Sequence, residues 1–344
     1  MLPLSPARAV GWAEGLGIPR AGRTVLYTGL MYQLMPSLMA LQKRLSRFED
    51  SPLTRLFGVG RFVNRALNVS RFTPLLAGRQ EQERFDGILR DIALLLRAAG
   101  VEFGYLYEEE LYAGALGHDE GLCRAFERQA LRVRDLLRRH GVRRIITIDP
   151  HTTNVLRSVY PAVIGSDGIE VQSYLEVLAE RGMQPRKPAE QSAAIHDSCV
   201  YARHEGIVDE PRRLLEAAGI EAKEPEAAGK ATFCCGGPIE SLFPGKAHAI
   251  AKRRLAQLAA VSSRVVTMCP VCLVNLREAA AGQSISVEDI AGWLAEAGAG
   301  NGDDLGRVYV RAEGTIGRER QLRIEESGAV PAVGRAVRSR EHLR

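Results

Sequence analysis

"RVVTMCPVCLVNLR", Arg264 to Arg277, reads as a strand rich in β-branched residues that passes at once into a helix. Pro270 suits a first helical turn, so Cys269 falls at the carboxyl end of the strand, and Cys269 and Cys272 sit at a helix N-terminus. Free N–H groups and the helix dipole favour thiolates there. The same run occurs earlier in the chain. "RIITIDPHTTNVLR", Arg144 to Arg157, aligns with it without a gap at a constant offset of 120, with Asp149 in place of Cys269 and Thr152 in place of Cys272. Upstream, "VLYTGL" ending at Leu30 matches "AIHDSC" ending at Cys199, and "LYAGAL", Leu111 to Leu116, stands where the counterpart of "CCGGPI" should be. Leu111 and Tyr112 are then the expected counterparts of the paired cysteines.

Working outward from these runs, strand, helix and strand alternate twice. "SAAIHD", Ser192 to Asp197, is a short apolar strand leading into Ser198 and Cys199. "GKAHAIAKRRLAQLAA" carries Ala247, Ala251, Leu255 and Leu258 at helical spacing, with Lys252 and Arg253 on other faces. "RFDGILRDIALLLRAAG" places Phe85, Ile88, Leu89, Ile92, Leu95, Leu96 and Ala99 on one face and is expected to cover the first half's sheet. The expected fold is α/β, two similar Rossmann-like halves of which the first has lost its cysteines. The boundaries read as an N-terminal extension at 1–22, a degenerate α/β domain at 23–165, a cysteine-bearing domain at 190–298, and a partly disordered C-terminal tail at 299–344.

Composition narrows the classes. The 344 residues are 46% hydrophobic and 25% charged, enough chain for two domains and a sizeable core. The net charge of +5 mixes many Arg with nearly as many acids, and no long basic block or aromatic-interleaved basic helix points to nucleic acid. The most apolar stretch, Val25 to Leu41, contains Gln33, Pro36 and Ser37 and falls short of a membrane span, so it reads as a buried strand and turn. The N-terminus lacks the build of a secretory signal. A reducing cytoplasm is the expected compartment, with membrane association through a partner left open.

Six cysteines in such a chain do not make a disulfide scaffold. Cys123 stands alone, whereas Cys199, Cys234, Cys235, Cys269 and Cys272 crowd into a 74-residue window as C, 34 residues, CCG, 32 residues, C-P-V-C. Strand-terminal Cys199 and Cys269 would meet outside the carboxyl ends of a parallel sheet, where α/β proteins place their sites. The glycines after Cys235 would let the backbone approach a bulky cofactor.

"HDSCVYARHEGIVDEPRRLLEAAGI", "CCGGPIESLFPGKA" and "VTMCPVCLVNL" together resemble the cysteine-rich CCG domain of the B and D subunits of heterodisulfide reductase and related iron–sulfur proteins. The resemblance is strong from about Ile195 to Leu276, and it reaches back through the degenerate first copy to about Val25. It implies one iron–sulfur cluster of the noncubane [4Fe–4S] type, and it makes Cys199, Cys234, Cys235, Cys269 and Cys272 the cofactor-binding and metal ligands. A cubane or a zinc ion takes four thiolates, so five suit something larger. Adjacent residues in extended chain also point to opposite sides, which is awkward for Cys234 and Cys235 around one tetrahedral ion.

This sequence departs from the tandem of two complete motifs that the B subunit resembles, since Leu30, Leu111, Tyr112, Asp149 and Thr152 hold the first set of positions. The resemblance therefore implies an electron-transferring or catalytic oxidoreductase subunit of a heterodisulfide-reductase-like complex. Its expected partners are a ferredoxin-type iron–sulfur subunit and a flavoprotein, and a disulfide, thiol or quinone would be the electron acceptor or donor. The alternatives are the iron–sulfur subunit of a flavin-linked lactate or glycolate dehydrogenase and a zinc-bound structural or interaction module. No ferredoxin-type cysteine run and no GxGxxG appears, so electrons are expected to enter from a separate protein.

Beside the five cysteines, His196 and His204 could hydrogen-bond to a cluster or be merely structural. Asp149 reads as the cap of the helix after Pro150, with His151 beside it. Cys123 reads as a small buried or half-buried residue. Lys246, Lys252, Arg253 and Arg254 read as a solvated helix face. The stretch from Leu30 to Leu41 and the Arg-rich tail with Arg335, Arg338, Arg340 and Arg344 are expected to face a partner.

Overall fold

Seven short parallel strands form two sheets in a computed structural model that describes residues 6–49, 78–182, 191–239 and 243–297, all within one compact unit. The first sheet is β1 (Thr24–Tyr27), β2 (Arg144–Thr147) and β3 (Glu170–Ser173), in that spatial order. The second is ordered β5-β4-β6-β7, from β4 (Gln191–His196), β5 (Ile220–Lys223), β6 (Arg264–Thr267) and β7 (Ser286–Asp289). The offset of 120 lays β2 on β6: Ile145 pairs with Val25 and Val171, as Val265 pairs with Ala194 and Val287. The fold is α/β with two related halves, as expected.

The first half also keeps a vestige of the β5 position. Gly104 bridges Val25 in parallel on the edge of β1 away from β2, with Leu26 N donating to the Gly104 carbonyl at 2.8 Å and Gly104 N to that of Thr24 at 2.9 Å. A side chain cannot stand there, because a Cβ on Gly104 would lie 1.6 Å from the Ala21 carbonyl oxygen. The described part of the expected N-terminal extension is built into this half: Trp12 is buried and its indole donates to the Tyr105 hydroxyl at 3.3 Å. The first half runs through β3, past residue 165. The tail expected at 299–344, with its arginines, lies outside the described residues.

Besides short helical turns at Pro6–Val10, Ala115–Asp119 and Tyr160–Ile164, the helices are α1 (Met31–Glu49), α2 (Arg79–Ala98), α3 (Cys123–Arg139), α4 (Pro150–Asn154), α5 (Tyr174–Arg181), α6 (Asp209–Ala217), α7 (Pro244–Ala259), α8 (Pro270–Ala279) and α9 (Ile290–Glu296) among the described residues. The face foreseen on α2 is buried from Phe85 to Leu96, and Ala247, Ala251, Leu255 and Leu258 of α7 are buried likewise. Each such large side chain contributes about 1.5–3 kcal/mol.

Val25 to Leu41 departs from the strand-and-turn expectation. The chain leaves β1 through a turn at Thr28–Leu30 and becomes helix α1, with Pro36 inside it. An interior proline costs about 3 kcal/mol, and burial of Met31, Tyr32, Leu34 and Met35 outweighs it. Those residues are core, so residues 30–37 are not the partner-facing surface expected of them.

The halves are joined by a reciprocal pair of tyrosines. Tyr32, two residues after Leu30, donates to Asp289 Oδ2 at 2.7 Å, and Asp289 caps α9 of the second half. Tyr201, two residues after Cys199, shares a 2.7 Å hydrogen bond with Ser173, which caps α5 of the first half. Both tyrosines are fully buried, so each half closes the last described helix of the other.

Glu110 is buried beside β1, accepting from Thr28 Oγ1 at 2.9 Å and Gly29 N at 2.8 Å. Burial pushes its carboxyl up to about 7, above the ordinary 4.5. A raised folded-state value gives a contribution that is whole below pH 4.5 and is lost as pH rises through 7, on the order of 3 kcal/mol in all. Glu110→Gln is expected to flatten the stability profile over that interval and to raise stability at pH 8. Urea unfolding at pH 5 and pH 8 checks it; an unchanged slope would refute the assignment.

Candidate metal centre

Three loops at the carboxyl ends of the second sheet bring the five clustered cysteines together. β4 ends at His196, and the buried Asp197 and Ser198 carry the chain to Cys199. Asp197 anchors this turn through a two-pronged pair with Arg212, at 2.8 and 2.9 Å. Cys269 is the N-cap residue of α8, with Pro270 next and Cys272 in the first turn, as the sequence predicts. Cys234 and Cys235 come from the loop between β5 and α7.

The sulfurs stand in a continuous row in which each shifts the ionisation of the next, Cys199 beside Cys234, Cys234 beside Cys235, Cys235 beside Cys272 and Cys272 beside Cys269. Cys235, Cys269 and Cys272 are buried, while Cys199 and Cys234 are half-buried, so one end of the row faces outward. Gly236 N reaches Cys234 Sγ at 3.3 Å. Donation from Cys199 and Cys235 draws Cys234 far below the ordinary thiol range. Burial works against the Cys269 thiolate, but donation from Cys272 and His151 holds that thiol well below its usual value. The same contacts push Cys199, Cys235 and Cys272 up. Five packed thiols cannot all ionise without cationic charge among them, and such a donor set suits a polynuclear metal group.

The other predicted residues fall out differently. Cys123 is exposed at the start of α3, donating weakly to the Gly121 carbonyl, rather than buried or half-buried. His204 is exposed, whereas His196 is buried with its Nδ1 3.0 Å from Arg254 Nε. Arg254 corrects the solvated-face reading of its helix: Lys246, Lys252 and Arg253 are exposed, but Arg254 is completely buried. Gly236 has φ +87° and a Cβ there would lie 2.5 Å from the Ala247 carbonyl, so this glycine lets the loop approach α7, while a Cβ on Gly237 would stand 3.5 Å from Cys235 Sγ.

Sequence reasoning gave no hint that the first half touches the thiols. His151, at the start of α4, is buried, sits 2.9 Å from Asp119 Oδ2 through Nδ1, and meets Cys269. Burial opposes its charge, yet Asp119 and Cys269 hold it protonated well above the usual imidazole range. Asp149 caps α4 by accepting from Thr152 N at 2.9 Å. The ligand positions of this half are filled by its own side chains: Leu30 is buried, and a Cβ on Gly29 would lie 2.1 Å from Thr152 Oγ1. Gly114, at φ +91°, packs on Phe126 of α3 as Gly236 packs on Ala247 of α7. That equivalence sets Tyr112 and Ala113, rather than Leu111 and Tyr112, opposite Cys234 and Cys235.

A parallel α/β protein in two related halves, with one row of five cysteines at the strand ends of the second, is the class these features define. Residues 193–277 match the cysteine-rich domain CCG, and the chain carries such a domain. The chain is similar to an EtfAB:quinone oxidoreductase of Syntrophomonas wolfei, 33% identical over 61% of this chain and 32% of that protein. It is also similar to a probable membrane-anchored ferredoxin of Chromohalobacter salexigens, 33% identical over 61% of this chain and 33% of that one. A third relative is the D subunit of the dihydromethanophenazine:CoB–CoM heterodisulfide reductase of Methanosarcina mazei, 25% identical over 60% of this chain and 54% of that protein. The chain thus spans between about a third and about half of the length of these relatives, which are iron–sulfur and oxidoreductase proteins by name. No helix among the described residues is long and apolar enough to cross a membrane.

Proposed function

We propose that this chain is an iron–sulfur electron-transfer subunit of a heterodisulfide-reductase-like redox complex, passing electrons to or from a quinone or a disulfide/thiol pair. The observation that carries the reading is the continuous row of five sulfurs from three loops, one more than zinc or a cubane requires. Cys199, Cys234, Cys235, Cys269 and Cys272 would hold a single noncubane [4Fe–4S] cluster, which when bound supplies one-electron chemistry. The two relatives at 33% identity, one of them named for a quinone, favour the quinone over the disulfide.

The protein's part is to bind, shield and orient. Burial of Cys235, Cys269 and Cys272 keeps water from the inner end of the row, and the half-buried Cys199 and Cys234 give a short path to a docked partner. Cations rim that outer end: Arg253 stacks on Phe233 at 4.9 Å, and Arg203 donates to the Thr232 carbonyl. Such a rim suits an acidic ferredoxin-type or flavoprotein partner. Protein prepared without oxygen is expected to carry iron and acid-labile sulfide equivalent to about one cluster per chain. Stoichiometric zinc without sulfide, or two clusters per chain, would refute the proposal.

A further inference from the structure

We propose that His196 is an N–H donor to the sulfurs of the centre and not a ligand, its tautomer imposed by the buried guanidinium of Arg254. The inference rests on the five cysteines forming a metal centre, as argued above. A ring nitrogen of His196 and the sulfurs of Cys235 and Cys272 lie within 4.8 Å of one another, all three residues buried. By composition alone this trio looks like a nitrogen-and-sulfur metal site. The hydrogen bonding on the far side of the ring says otherwise.

Arg254 Nε lies 3.0 Å from His196 Nδ1. A guanidinium has donors only, so Nδ1 must accept and carries no proton. A neutral imidazole with bare Nδ1 has its hydrogen on Nε2, and Nε2–H cannot ligate a metal. The ligating tautomer would set Nδ1–H against Nε–H, donor facing donor. Arg254 is not free to turn away, since it also donates to the Ala227 carbonyl at 2.8 Å, Gln257 Oε1 at 3.0 Å and Thr232 Oγ1 at 3.4 Å, and none of it is exposed.

His196 Nε2 is itself buried without a hydrogen-bond partner among the described residues. An unmet buried N–H costs about 1–3 kcal/mol; the sulfurs of Cys235 and Cys272 lie within 4.8 Å of a nitrogen of this ring, and they, or sulfide that they hold in place, are the acceptors to which the proposal assigns it. Hydrogen bonds to cluster sulfurs draw off electron density and raise the reduction potential. Arg254 and His196 together therefore act as a positioning pair that sets the potential of the inner end of the row.

The test uses the full chain labelled with 15N-histidine. Pulsed EPR of the reduced, iron-loaded protein should show one weakly coupled histidine nitrogen and an exchangeable proton; the strong coupling of a ligated nitrogen would overturn the proposal. 15N NMR of the zinc-loaded chain reads the tautomer without any iron: Nε2–H is expected, and Nδ1–H would overturn the proposal. His196→Leu should keep its iron and shift the midpoint potential to more negative values, with His196→Gln, which retains an amide N–H, shifting it less. An unchanged potential in His196→Leu would count against the donor role. If the natural metal proves to be zinc, the iron–sulfur reading fails, while the tautomer measurement still decides the role of His196.

Discussion

Serine at any one of Cys199, Cys234, Cys235, Cys269 or Cys272 is expected to strip or convert the cluster, with most of the bound iron and visible absorbance lost, whereas Cys123→Ser leaves both intact. The five sulfurs form one row, so removing any member breaks a contact that the neighbouring sulfurs make. Loss of a mere outer-shell partner commonly costs 10–100-fold in metal affinity, so loss of a ligand should cost at least about that much. Cys235 is the sharpest case, because it is buried and stands mid-row between Cys234 and Cys272. Cys123 is exposed, and its thiol contacts only a carbonyl two residues away. Iron and sulfide analysis with EPR on the six variants checks the expectation. A native spectrum in Cys235→Ser would replace the five-ligand assignment with a four-cysteine cubane.

Gly236→Ala is expected to destabilise the protein by roughly 2–5 kcal/mol through two mechanisms that add. Its φ of +87° is a region that L side chains rarely adopt, and the new Cβ would stand 2.5 Å from the Ala247 carbonyl oxygen and 3.0 Å from its Cα. Those atoms are the backbone of α7, held by the helix and by the buried Ala247, Ala251 and Leu255 stripe, so relief must come from the cysteine loop. Since Gly236 N donates to Cys234 Sγ, such a shift would also loosen the outer end of the row. Gly245→Ala is the control: it lies in α7 with an ordinary φ and no atom within 4 Å of where its methyl would stand, so alanine there should be neutral or stabilise by up to about 1 kcal/mol. Urea unfolding of the two variants under identical metal loading separates them. Equal stability would show that the CCG glycine is dispensable to the loop.

The parts of this protein that could be read from the chain are those whose signals are local. The strand-to-helix passage at Arg264–Arg277 places Cys269 as an N-cap with Pro270 behind it, and a handful of neighbouring residues suffices to specify that turn. Its echo at Arg144–Arg157 survives because Asp149 does for α4, as a cap, what a helix start requires whether or not a metal is present. Cysteine spacing likewise needed no contacts, because three strand ends of one parallel sheet converge wherever the fold is α/β. Packing between distant segments supplied everything else. Arg254 reads as one more surface cation until His196, 58 residues away, and the Ala227 carbonyl close over it. Pro36 reads as a helix breaker until the core takes in Met31, Tyr32, Leu34 and Met35 around it. Tyr32 finds Asp289 across 257 residues, and His151 of the cysteine-free half reaches Cys269, because two related halves face each other and exchange side chains. A periodicity of 2 or 3.6 records which face of an element is apolar, but not which other face it will meet; that choice is made by the burial and hydrogen bonding of the assembled halves.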